Sequence, residues 1–172
     1  MTTHDEIQSV LQSIDDPEMP ISIVDLGLVE DVQVHDGGDG QRVDVVILPT
    51  FVGCPALDMI RDLIRTGISS LDGVEDVNVE FVYEPAWNVD RITDAGRASL
   101  AEHGVTVPDR GDRLGLAGGV AAPTVTIRTS AIPCPFCGSS STELDSPFGP
   151  TRCRMIYYCR ACRNSFEHLK RV

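Results

Sequence analysis

The sequence predicts an α+β fold: a small three-stranded sheet with helices packed on it, followed by an all-β zinc-ribbon module. Three observations carry this. Apolar residues recur at helical spacing in three stretches and alternate at strand spacing in three others. A stretch rich in Gly, Ala and Pro, residues 104–123, then interrupts all periodicity and reads as a linker. Beyond it lie two cysteine pairs, Cys134-x2-Cys137 and Cys159-x2-Cys162, among short β-prone runs.

The elements follow in the order α-β-β-α-β-α. Thr3-x-x-Glu6 has the form of a capping box, with Ile7, Val10, Leu11 and Ile14 behind it on one helical face. That helix ends at Asp15-Asp16-Pro17, and residues 17–28 are irregular. Val32 and Val34 alternate with polar residues, Asp36-Gly-Gly-Asp-Gly40 is a turn by composition, and Val43, Val45 and Ile47 share a face; together they predict a hairpin. A second helix carries Leu57, Ile60, Ile64 and Ile68 on one side, and Val77, Val79, Phe81 and Tyr83 alternate as a further strand. A third helix is expected over 90–103, with Gly104 ending it. Residues 1–103 thus form one unit and residues 124–172 the ribbon, with strands expected at 124–128, 155–158 and 165–169.

The 172 residues, 42% of them hydrophobic, suffice for one domain plus a small module. No apolar run approaches the ~18 residues of a membrane span. The opening Met1-Thr-Thr-His-Asp-Glu lacks the basic and apolar regions of a secretory leader, so a soluble cytoplasmic protein is expected, with thiols and metal in place of disulfides. Residues 1–123 carry 23 acidic and 7 basic side chains, whereas residues 124–172 carry 3 acidic and 7 basic, within a net charge of −12. An acidic body of this kind repels nucleic acid, and neither nucleic acid nor membrane is an expected partner.

Two cysteines on each of two tight turns supply four soft ligands at tetrahedral corners, the arrangement of a closed structural zinc site. A module of under fifty residues has too small a core to be stable alone, so the metal supplies folding free energy. Iron in a rubredoxin-like site, or an iron–sulfur cluster, is the alternative that the same four thiolates allow. Cys153, six residues before Cys159, reads either as a buried small hydrophobe in a strand or as an additional metal ligand. His168 is excluded from the site only because the quartet is already complete.

Cys54 precedes Pro55, a residue favoured in the first turn of a helix, which puts the thiol at or next to an N-cap. The helix dipole there is expected to lower its pKa and ready it for a metal or an electrophile; the other reading of the spacing is an inert buried residue capping the helix. Thr50 and Gly53 add a hydroxyl and a close backbone approach in the same loop, and Asp16, Glu18 and Asp25 are candidate carboxylates from the irregular segment. Asp25 taken alone reads more readily as a turn or cap residue than as a ligand. No motif surrounds His4, His35, His103 or His168, which argues against a cysteine protease.

Asp16-Pro-Glu-Met-Pro-x-Ser-Ile-x-Asp25-Leu-Gly-Leu-Val, together with Thr50-x3-Cys54-Pro55, resembles the metal–sulfur cluster assembly domain of SufT-like proteins. Cys134-Pro-Phe-Cys-Gly, Ser146-x-Phe-Gly-x-Thr-x-Cys153, Tyr158-Cys-Arg-Ala-Cys162 and Phe166-x3-Lys170, with Pro85-Ala-Trp87 and Ile92-Thr-x2-Gly96-Arg97, make the whole chain similar to the PaaD (PaaJ) family of phenylacetyl-CoA oxygenase subunits. Two connections depart from the family pattern, Gly104-Val-Thr-Val-Pro108 with the long insertion after it, and Phe148-Gly-Pro-Thr151. The resemblance implies a non-catalytic accessory subunit in phenylacetate degradation, assisting assembly of iron or iron–sulfur centres. Its implied partners are the oxygenase and reductase subunits and the iron–sulfur assembly machinery, with a homodimer also compatible. It implies Cys54 as a transfer thiol that holds a cluster transiently, supported by Asp25 and Thr50, and Cys134, Cys137, Cys159 and Cys162 as the metal site.

Overall fold

A computed structural model of the chain describes residues 2–38, 40–111 and 132–171. Helix α1 spans His4–Gln12 behind a complete capping box: the Glu6 backbone N–H donates to the Thr3 hydroxyl, and the Glu6 carboxylate accepts from the Thr3 backbone N–H. Ile7 and Leu11 bury its apolar face. Strands β1 (Val29–Asp36) and β2 (Gln41–Ile47) form the expected antiparallel hairpin. Helix α2 (Leu57–Ser69) then crosses over to β3 (Val74–Phe81), which pairs parallel to β2. The sheet order is β1-β2-β3.

Period-2 alternation places Val43, Val45 and Ile47 of β2 beside Val77 and Val79 of β3 on the covered face. Ile60, Ile64 and Ile68 of α2 are fully buried in the same core. Each such side chain contributes about 1.5–3 kcal/mol of burial. Trp87 closes one end, and its indole N–H donates to the Leu26 carbonyl at 3.0 Å.

The expected third helix is shorter than its periodicity suggested. A 3₁₀ turn (Val89–Arg91) comes first, the chain is extended at Ile92, and α3 occupies Asp94–Glu102. Thr93 interrupts the helix by capping α3, its hydroxyl accepting from the Gly96 N–H. Gly104, at φ 76°, follows the C-cap His103 as expected.

The second sheet contains β5 (Thr142–Ser146), β6 (Arg154–Cys159) and β7 (Ser165–Leu169) as antiparallel neighbours. Its fourth strand, β4 (Val105–Thr106), lies within the stretch that reads as a linker in sequence, yet pairs parallel with β7. Residues 105 and 106 therefore join the first unit to the ribbon by backbone hydrogen bonding. The physical reason is the alternating Val105-Thr-Val107 directly after the Gly104 turn, which presents a short strand edge to β7. Val105, Cys153 and Leu169 all lie in the core of the first unit. The strand expected at 124–128 lies outside the described residues. Among the described residues, no helix is long and apolar enough to cross a membrane.

Candidate metal centre and the Cys54 loop

The four ribbon cysteines come from two turns built alike. In the first, the Gly138 N–H donates to the Cys134 carbonyl and the Cys134 N–H to the Ser139 carbonyl; in the second, the Arg163 N–H donates to the Cys159 carbonyl and the Cys159 N–H to that of Asn164. Gly138 and Arg163 both take positive φ, 70° and 61°. For a non-glycine residue that geometry costs roughly 1 kcal/mol, which the turn's own hydrogen bonds offset.

All four Sγ atoms lie within 4.8 Å of one another. The Cys134–Cys162 and Cys137–Cys159 sulfur separations are both 3.6 Å. A tetrahedral ion with metal–sulfur bonds of about 2.3 Å has sulfur–sulfur edges of about 3.8 Å. These separations are far longer than the ~2.05 Å of a disulfide. The donor set therefore fits zinc, with iron as the alternative that four thiolates also accept. Cys134 and Cys159 are buried against Phe166, and Cys137 is at the surface.

The electrostatics of the four thiols require a cation. Backbone N–H groups of Cys162 and Ala161 point at the Cys159 sulfur and hold its pKa down at about 7. At Cys137 the Ser139 N–H acts in the same direction, but desolvation and the adjoining thiols outweigh it and push the pKa up to about 12. Four thiolates cannot form together without positive charge among them; a divalent ion supplies it. Four protein ligands leave no open coordination position, so a substrate has no place on this metal.

Cys54 lies in a separate place, two residues ahead of Ala56, the N-cap of α2. The sequence-based expectation of a lowered pKa is corrected. Burial pushes the thiol up, and although the Ala56 N–H opposes this, charge on Asp16, Glu18 and Cys153 raises it further. The helix dipole loses to desolvation and to neighbouring acidic groups. Thr50 is buried in the loop that leads to Cys54.

The candidate carboxylates separate into two groups. Asp16 and Glu18 stand near Cys54, with the Glu18 N–H donating to Asp16 at 2.8 Å. Asp25 is committed to a different network. One of its oxygens accepts from the Thr93 hydroxyl at 2.6 Å; the other accepts from Ser22 and Gln12. The Thr93 contact is the main cause that holds its carboxyl below the usual range. Asp25 thus pins the irregular segment to α1 and to the start of α3.

Cys153 is buried, as one of its two sequence readings has it, but in the core of the first unit and just ahead of β6. One feature of this region was missed in the sequence. Arg154, beside Cys153, is buried, with Nε donating to Thr151 and its guanidinium 2.6 Å from Glu167. Its positive charge partly offsets the burial that raises the pKa of Asp16. An arginine opening an apolar strand, Arg154-Met-Ile-Tyr-Tyr158, is the signal that could have marked a buried charge.

Residues 121–170 match the family described as the PaaD zinc beta ribbon domain, and residues 4–81 match the iron-sulfur cluster assembly protein family. A protein of Escherichia coli strain K12, named as a subunit of a "Putative 1,2-phenylacetyl-CoA epoxidase", is 34% identical over 166 residues, which cover 96% of this chain and 91% of that protein. An "Fe-S protein maturation auxiliary factor" of Porphyromonas gingivalis is 35% identical over 100 residues, 58% of this chain and 92% of its own length. The solved structure of a conserved hypothetical protein from Thermotoga maritima is 30% identical and covers 56% of this chain and 92% of its own, with a TM-score of 0.48. With a relative aligned over nearly its full length and a ribbon that matches by residue and by geometry, the chain belongs to the PaaD family of phenylacetyl-CoA epoxidase subunits.

Proposed function

We propose that this protein is an accessory, non-catalytic subunit of a phenylacetyl-CoA oxygenase system that assists assembly or upkeep of iron or iron–sulfur centres in its partner subunits. In this reading residues 1–103 handle the cargo, and the ribbon, beyond the stretch 104–123, is held by zinc at Cys134, Cys137, Cys159 and Cys162. The observation that carries the reading is the division of cysteine chemistry. A closed quartet has no position for cargo, whereas Cys54 sits outside it in a loop beside carboxylates. The likeness of residues 4–81 to iron-sulfur cluster assembly proteins supports the same assignment.

Cys54 is the transfer thiol here, and Thr50 supports the loop that presents it. Asp25 acts at a distance by fixing the adjoining segment through Thr93, Ser22 and Gln12. The proteins served are the oxygenase and reductase subunits. Cys54→Ser is expected to keep the fold and one equivalent of zinc while lowering the iron content of partner subunits produced with it. Full metal loading of the partners by the variant would overturn the assignment.

The four-thiolate set also suits iron, which would make the ribbon an electron carrier. Anaerobically purified protein distinguishes the two: colourless, zinc-containing protein excludes the carrier, and a reversible visible charge-transfer spectrum excludes structural zinc.

A further inference from the structure

Residues 1–123 carry 7 basic side chains against 23 acidic ones, and every one of the basic residues is an arginine. They divide by what they hold. Arg91 donates to the Gly27 and Val29 carbonyls, Arg97 to those of Val89 and Pro108, and Arg110 to that of Ile92. These three staple irregular segments of the first unit, and Arg113 lies outside the described residues. Arg42, Arg61 and Arg65 donate to no backbone carbonyl among the described residues. All three instead line one cleft of about 330 Å³.

The cleft lies against residues 76–79 of β3, a strand at the edge of its sheet. Arg61 and Arg65 are four residues apart on α2 and so share a side of that helix. Arg42 comes from β2, where it stands in register with Asp76. Arg61 is oriented by the Phe81 ring, whose centre is 4.7 Å away. Two elements thus bring three guanidinium groups to one space.

Asp76 is the one carboxylate that lines this space. Arg42 pairs with Asp44 at 2.9 Å and lies 3.8 Å from Asp76, and Arg61 pairs with Asp58 at 2.7 Å. The Asp76 and Asp58 side chains are 61% and 91% exposed, and pairs so open to water hold weakly and exchange readily. Arg65, on the same cleft, has no hydrogen-bond or ion-pair partner among the described residues. Three like charges gathered on an acidic body repel one another, and an anion between them relieves that cost.

We propose that this cleft binds the phosphate or diphosphate group of a small molecule. A carboxylate is satisfied by one guanidinium in a bidentate pair, whereas a phosphate offers three oxygens to donors arriving from different sides. The volume is at the lower end of the range for small-molecule sites, which suits a phosphate with a short carrier. The inference does not draw on Cys54 and stands whether or not that thiol transfers metal.

The test is titration of the zinc-loaded full chain at constant ionic strength, followed by calorimetry and by two-dimensional NMR. The probes are pyrophosphate, inorganic phosphate, adenosine monophosphate, citrate and a short single-stranded oligonucleotide, with zinc content checked after each. One equivalent of pyrophosphate should bind, with shifts confined to residues 76–79 and the side chains of Arg42, Arg61 and Arg65. Arg61→Gln and Arg65→Gln should each weaken binding by about tenfold or more, whereas Arg152→Gln, exposed on the ribbon, should not. Adenosine monophosphate binding more tightly than inorganic phosphate shows a cleft that reads the carrier; equal binding shows one that reads the phosphate alone. Thermal melting identifies any variant that fails to fold, and the wild-type shift pattern stands without the variants. No binding at millimolar pyrophosphate, citrate bound as tightly as pyrophosphate, shifts elsewhere on the protein, or full affinity in folded Arg65→Gln overturns the site. Preference for the oligonucleotide over pyrophosphate also overturns it, by making the arginines a nucleic-acid surface.

Discussion

His168 on β7 and Thr106 on β4 meet across the joint between the two units, with Nδ1 and Oγ1 2.8 Å apart. With the Thr106 hydroxyl donating to the Glu167 carbonyl at 3.2 Å, the Nδ1-protonated tautomer donates to Thr106; the other tautomer accepts the hydroxyl proton instead. Burial holds the His168 pKa down at about 4, and the ring is neutral at physiological pH.

A folded pKa below the unfolded value of about 6.5 means that the folded state binds fewer protons. The stability this group provides is complete above pH 6.5 and is lost as pH falls from there towards 4. The loss is about 2 kcal/mol by pH 5. Urea midpoints measured from pH 7.5 to 5 should fall more steeply for wild type than for His168→Asn. Curves of equal slope would show that this histidine does not carry the acid sensitivity.

Removing the ribbon metal should disturb more than the ribbon. Structural four-cysteine sites contribute on the order of 10 kcal/mol to folding. Because Cys153 and Leu169 lie in the core of the first unit, chelation or Cys162→Ser should also lower the melting temperature reported by Trp87 fluorescence. An unchanged Trp87 transition in metal-free protein would mean that the two units are energetically independent.

Cys54 should be a slow nucleophile at rest. Its raised pKa predicts that alkylation at pH 7.5 lags behind that of an unperturbed thiol. Asp16→Asn removes one of the charges that raise it and should speed the reaction. Mass-spectrometric rates at Cys54 in the two proteins decide this; a slower variant would contradict the electrostatics.

Gly96 in α3 faces the irregular segment with no room for a methyl group. A Cβ there would come within 2.6 Å of Ile21 Cδ1 and 2.8 Å of the Asp25 carbonyl oxygen. Gly96→Ala should therefore destabilise by about 1–3 kcal/mol, the usual penalty for overpacking. Thermal melting gives the value directly, and an Ala variant of wild-type stability would show that α3 can withdraw freely.

Asp25 works in the same contact but with a pH signature. Its folded pKa is depressed, so its contribution is present above about pH 3.8 and disappears as pH falls through the lower folded value. Asp25→Asn should be less stable than wild type at pH 7, and the gap should close towards pH 3. A gap independent of pH would assign the loss to packing alone.

Several local periodicities were legible, though the third helix and the end of β3 were drawn too long. The Thr3 capping box, the Val43-Val45-Ile47 face and the Ile60-Ile64-Ile68 stripe are each dictated by neighbours a few residues away. The quartet was equally legible, because two short cysteine spacings determine their own turns. The junction was not. Whether Cys153 joins the quartet or the core of the first unit is decided by long-range packing, such as the pairing of β4 with β7, that no window reveals. The pKa of Cys54 was misjudged for a related reason: the helix terminus is visible in sequence, whereas the desolvation and the acidic company of Asp16 and Glu18 arise only on folding.

Val105 pairs with Glu167, sixty-two positions later. During synthesis, the three-stranded sheet can form as soon as Phe81 emerges, but its core lacks Cys153 and Leu169 until the ribbon has been made. Non-local closure of this kind is slow and leaves apolar surface uncovered meanwhile. Loading of the ribbon metal then becomes a checkpoint for closure of the first unit's core as well as of the ribbon. A cell short of that metal would accumulate chains with an open core beside Cys54, the form that chaperones retain and proteases remove.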